Sequence, residues 1–152
     1  MLAMDEEERT NRQLTELLQE LRVALPGVQI LFAFLLTVPF AQGFQSVTDF
    51  QKYLYFATLM CTAISTACLI APTATHRLRF HQRDRNYVIE VAHRLTIAGL
   101  AFLALAILLA VALITDYLFD GAARWFWPAL IALVIAVLWF IRPALRKGSS
   151  GP

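Results

Sequence analysis

Charge is what this sequence lacks most. Charged residues make up 16% of the 152 positions, against about 25% in an average soluble domain. The acids stand at 5–8, 16, 20, 49, 84, 90, 116 and 120, and none falls within the runs 23–44, 53–72, 95–115 or 125–141. Lys, Arg and His are missing from those runs as well. An acid–base pair inside them is therefore excluded. No Gly-rich phosphate loop is present. Cysteine is scarce: Cys61 and Cys68 stand seven residues apart, about 10 Å on a helix, beyond the ~7 Å that a disulfide bridges. They read as small buried thiols. His76, His81 and His93 have neither cysteine partners nor a tight ligand spacing. No metal, no cofactor and no enzymatic activity is expected.

What is present is apolar. The apolar share is 59%, above the usual ~45–50%, and it collects in the four charge-free runs. Each approaches the ~20 residues that cross a ~30 Å hydrocarbon core. The expected fold is all-α: four transmembrane helices in two hairpins, forming one domain over 1–147. Its head is 1–22. The acidic start MLAMDEEERTNRQ lacks the positive charge of a secretory signal, so the first run is expected to be a permanent span. Residues 148–152, GSSGP, read as a flexible tail or an appended sequence.

Basic residues set the expected orientation. Eleven of thirteen lie in the head (Arg9, Arg12, Arg22), the middle loop (Arg77, Arg79, Arg83, Arg85, Arg94) and the tail (Arg142, Arg146, Lys147). Only Lys52 and Arg124 lie opposite. The positive-inside rule places both termini and the middle loop in the cytoplasm. The basic loop HRLRFHQRDR is then an orientation signal rather than a nucleic-acid site, with anionic lipid as a second reading. Tyr53, Tyr55, Tyr117, Trp125 and Trp127 are expected as anchors at the outer boundary and Trp139 at the inner one.

Two amphipathic stretches lead into spans one and three. In the first, Leu14, Leu17, Leu18, Leu21 and Leu25 recur at helical spacing, with Arg12 and Glu16 an i,i+4 pair. In the second, Tyr87, Val88, Val91, Ala92 and Leu95 make a similar stripe. The net negative charge of the first argues for helix–helix contact over binding to anionic lipid.

Uncharged polar residues inside the spans are the candidates for function. Thr58, Thr62 and Ser65 fall on one helical face with Cys61, Cys68 and Pro72; Gln29, Ala33 and Thr37 repeat every fourth residue. Such faces either line a path or pack helices tightly. Phe32, Leu36 and Phe40 are candidates for an apolar constriction. Glu20, Arg22, Glu90, His93, Arg94 and Asp116 are the interfacial charged candidates. Gln29 has the sharpest requirement, because an amide left unpaired in lipid is costly. Pro26 and Gly27 suggest a joint between the head helix and the first span. Pro39 is expected to bend the outer end and to free a carbonyl near Leu35, for Thr37 or a neighbour to satisfy.

The stretches ELLQELRVALPGVQILFAFLLTVPF, DFQKYLYFATL and LIAPTATHRLRF resemble a family of small actinobacterial membrane proteins of unknown function. The resemblance covers roughly 12–120 and implies four spans in a bacterial plasma membrane. Some members are automatically labelled sodium/proton antiporters. Proton-coupled exchange usually works through an ionisable group within the membrane, and here the ionisable candidates are interfacial. The expected function is an oligomeric ion channel or transport-related pore with an uncharged polar lining. The alternative is a non-transporting scaffold or regulatory subunit acting through its cytoplasmic helices. The expected partners are the lipid bilayer, further copies of the chain and, in the alternative, a protein bound by those helices.

Overall fold

The structure, a computed structural model, describes residues 2–78 and 85–141. The basic residues of 79–84, the tail from 142 and the side chain of Glu20 lie outside the described part. Four helices follow in order: α1 (Leu2–Thr37), α2 (Asp49–Leu78), α3 (Arg85–Leu118) and α4 (Ala123–Ile135), the last continuing as a π-helix over Ala136–Ile141. No strand occurs among the described residues.

Local chemistry explains the breaks. α1 stops at Thr37, two residues before Pro39, and the chain continues in a 3₁₀ turn over Val38–Phe40 and another over Gln42–Ser46. Proline has no N–H to offer the carbonyl one turn back, and it disfavours helical backbone in the residue before it. α2 opens with a reciprocal cap. The Thr48 hydroxyl accepts from the Gln51 N–H at 3.3 Å, and the Gln51 Oε1 accepts from the Thr48 N–H at 3.1 Å. This is the capping box of a T-x-x-Q sequence. Between α3 and α4, Gly121 turns the chain at a φ of +69°, in the left-handed region open to glycine.

Two expectations change. The first apolar run does not reach residue 44 as helix; its apolar helical part is Leu25–Phe40, because Pro39 ends the regular ladder. The joint at Pro26–Gly27 does not divide the chain either. One 36-residue helix passes through both, and Pro26 removes only one backbone bond from a ladder that continues on either side.

α2 and α3 form the most extensive helix pair, with α1 packed against α2 and α4 against α3. α1 and α4 do not pack extensively on each other among the described residues, so the helices form an open row. Its core is small: Val28 and Leu69, with Leu25 and Leu103 against them. α4 buries no residue. Large apolar side chains such as Phe34, Ile114 and Leu133 point outward. Two helical stretches, Asp49–Pro72 and Glu90–Leu118, are long and apolar enough to cross a membrane; Leu25–Phe40 and Ala123–Trp139 are shorter apolar stretches.

Candidate functional site

Polar side chains inside the row divide into three groups, each decided by which neighbour the helix packing supplies. The first is the seam between α2 and α3. Thr58, Thr62 and Ser65, on one face of α2, are fully buried, and Ser65 lies in this seam. The hydroxyls of Thr58 and Thr62 donate to the carbonyls of Leu54 and Thr58, each at 2.7 Å. The Ser65 hydroxyl reaches across to the carbonyl of Gly99, also at 2.7 Å. That reach requires closely approaching backbones, and Gly99 provides it: a β-carbon there would stand 2.8 Å from Leu69 Cγ. Within one chain this polar stripe is a packing surface.

The second group repairs carbonyls freed by proline. Pro39 cannot donate to Leu35, one helical turn earlier. The hydroxyl of Tyr55 on α2 donates to that carbonyl at 2.8 Å instead. The predicted free carbonyl thus exists, and a neighbouring helix satisfies it. Thr37 turns to Phe34 O at 2.7 Å. Tyr55 is therefore buried and edge-on to Phe44 at 5.1 Å, rather than an outward anchor like the exposed Tyr53, Tyr117, Trp125 and Trp127. The same device recurs at Pro128, which leaves the Arg124 carbonyl free. The Thr115 hydroxyl on α3 lies 3.0 Å from it, with the carbonyls of Val111 and Ala112 also in reach.

A thermodynamic cycle tests this repair. Tyr55→Phe is expected to destabilise the fold by about 1–3 kcal/mol, the cost of a buried acceptor left unpaired. In a Pro39→Ala background the new alanine N–H can serve Leu35, so the same change costs less. Thermal unfolding of the four proteins measures the difference. An equal loss in both backgrounds rules the repair out.

The third group joins three helices at the end bearing the 38–48 turn. Gln51, 7% exposed, donates from Nε2 to Asp116 Oδ2 at 3.1 Å. Arg124 donates to the other carboxylate oxygen at 3.3 Å and stands 5.6 Å from the Trp125 ring centre. Asp116 thus ties the start of α2 to the start of α4. Beside Gln51 lies a largely apolar cavity of about 270 Å³, walled by residues that include Phe44, Val47, Leu113 and Ile114. Asp116 was legible in the sequence as an interfacial acid. Gln51 and the pairing role of Arg124 were not. The T-x-x-Q pattern at 48–51 was the available signal for Gln51.

The remaining candidates are on the surface. Gln29, Leu36, Thr37 and Phe40 are exposed, while Phe32 turns partly inward with Val28 and Leu35. Pro26, Gly27 and Pro39 are exposed. Arg22 and His93 are exposed, and Glu90 pairs with Arg94 at 2.7 Å on an exposed helix face. Arg12 pairs with Glu16 at 3.3 Å, also in the open. Such pairs contribute little in water. Among the described residues no group of three or more His, Cys, Asp or Glu side chains could hold a metal ion.

No curated protein and no solved structure matches the chain. The model of one protein family, described as a family of unknown function (DUF6328), matches residues 4–143. That match covers nearly the whole length, and the chain belongs to DUF6328.

Proposed function

We propose that this chain is an integral membrane protein with four spans and both termini in the cytoplasm, and that copies of it assemble around a transport pore. In this reading two spans come from Asp49–Pro72 and Glu90–Leu118, which are long and apolar enough to cross, and the other two from the shorter apolar stretches Leu25–Phe40 and Ala123–Trp139. Outward-facing apolar residues on every helix, and an α4 that buries nothing, suit a lipid-facing surface better than a water-facing one. An open row of helices encloses no path of its own, so several copies are needed to surround one.

The observation that carries the pore reading is the uncovered face of α1. Gln29, Ala33 and Leu36 align on it at i, i+4 and i+7, with Thr37 beside them and Phe40 beyond in the turn, and all five are exposed. With the α2 hydroxyls engaged inside the chain, this is the polar face left to meet something else. Turned toward a central axis, it offers an amide ring near the cytoplasmic end and an apolar constriction at Leu36 and Phe40. Purified protein in liposomes is expected to pass small ions. Gln29→Leu is expected to change that flux by about tenfold or more, the scale of one well-placed polar contact. Wild-type vesicles that stay tight across a broad panel of ions defeat the reading.

A scaffold or regulatory role has one observation in its favour. α1 extends from Leu2 as continuous helix for more than twenty residues before its apolar part begins, a projection of roughly 34 Å at 1.5 Å per residue. A full-length protein that captures a specific partner, lost on deletion of residues 1–20, supports that role. Recovery of self-contacts alone in native-membrane cross-linking removes it.

A further inference from the structure

The polar groups within the apolar stretches point to one that is unsatisfied. The hydroxyls of Thr58, Thr62, Ser65, Thr66 and Thr96 all have partners within the chain. No buried polar side-chain atom among the described residues lacks a hydrogen bond. Gln29 differs. It lies inside the apolar stretch Leu25–Phe40, is exposed, and has no hydrogen-bond partner among the described residues. In a hydrocarbon surrounding, its donors and acceptor must be met by another polypeptide or by water.

The chemistry selects the partner. α4, the other outer helix of the row, has no Ser, Thr, Asn or Gln between Ala123 and Ile141, and its Trp indoles and Arg124 can only donate, so an α1-to-α4 contact between copies leaves the Gln29 amide donors without a side-chain acceptor. A carboxamide is both donor and acceptor. It can therefore bond to an identical carboxamide related by symmetry, the requirement of a self-complementary or cyclic contact. Ala33, one turn on and exposed on the same stripe, lets two helix backbones approach. We infer that α1 packs on α1 of a second copy, with the two Gln29 side chains hydrogen-bonded to each other across the contact. The inference rests on the membrane reading above and adds the partner and the bonded groups. Each amide keeps further donor and acceptor capacity for water on the side facing the axis.

Cross-linking and mass measurement test it on the full chain in lipid nanodiscs and native membranes. In a Cys61→Ala, Cys68→Ala background that keeps Gln29, cysteine at 33 or 36 is expected to give a disulfide-linked dimer. Cysteine at 34, exposed but about a third of a turn away, is expected to give none. Gln29→Leu is expected to weaken self-association about tenfold, and Gln29→Asn, which keeps the amide, to retain most of it. Strong cross-linking at 34 with none at 33 or 36, or Gln29→Leu protein with undiminished self-association, overturns the inference. The two readings fail separately. Paired α1 helices in a protein that conducts nothing remove the pore and leave the contact. Flux altered by Gln29→Leu with self-association unchanged removes the contact and leaves the pore.

Discussion

Gly99→Ala is expected to lower the melting temperature, although alanine is the better helix former. Helix propensity alone favours alanine over glycine by about 1 kcal/mol. The new methyl would stand 2.8 Å from both Cγ and Cδ2 of Leu69 and 3.3 Å from Cys68 Cβ. Leu69 is fully buried in the contact with Val28, and its branching carbon cannot swing aside as a side-chain tip can. Relief then requires α2 and α3 to separate, which lengthens the Ser65–Gly99 bond. Overpacking of this kind costs about 1–3 kcal/mol, and a stretched hydrogen bond adds about 0.5–1.5 kcal/mol. The net expectation is a loss of roughly 1–3 kcal/mol. Leu69→Ala removes the obstructing carbons, so Gly99→Ala should be much less damaging in that background. A Gly99→Ala protein more stable than wild type shows the seam to be looser than described.

The second large effect is expected at Gln51, where one side chain serves two helices. Gln51→Leu keeps the approximate volume and removes both hydrogen bonds. The Thr48 hydroxyl still accepts from the residue-51 N–H, so the cap loses one bond, that of the Thr48 N–H to Oε1, worth about 0.5–1.5 kcal/mol, and a hydrogen bond to a carboxylate contributes about 1.5–3 kcal/mol. A combined loss of about 2–4 kcal/mol follows. Gln51→Glu separates the two contributions. Glutamate still completes the capping box with Thr48, but it places a second carboxylate 3.1 Å from the Asp116 oxygen, where an amide donor had been. Its stability should fall as well, and pairing it with Asp116→Asn should recover part of the loss by restoring a donor to the contact. Thermal unfolding in one detergent or nanodisc composition compares the set. Gln51→Glu protein as stable as wild type removes Gln51 from the network.

Much of the arrangement was legible because it is written in one-dimensional patterns. The helical class follows from long charge-free apolar runs. Pro39 marks a disturbed outer end of the first run, since its ring forbids the backbone bond to Leu35 wherever the helix lies; that the helix stops at Thr37 instead of bending and running on to residue 44 is decided by the structure. The freed carbonyl followed from the ring. The identity of its donor did not, since Tyr55 is twenty residues away and reaches Leu35 only when α1 and α2 are packed in this register. Thr58, Thr62 and Ser65 show the same limit. Their spacing placed them on one face, yet spacing cannot say whether a face meets a helix or water. Pro26 suggests a break by its residue type alone, yet α1 runs through it, because a single lost bond in a long ladder leaves the turns on either side intact.

By itself the sequence determined the helix count, the absence of charge from the apolar runs, the carbonyl that Pro39 frees and the polar stripes on α1 and α2, because periodicity and side-chain chemistry are properties of a segment alone. The tertiary structure decided which stripe is covered. It buried the α2 hydroxyls and set Ser65 on the Gly99 carbonyl, joined Gln51 and Arg124 through Asp116, and left Gln29 uncovered. The physical reason is that a hydrogen bond between helices depends on their register and separation to within about an ångström, which no pattern along one helix encodes.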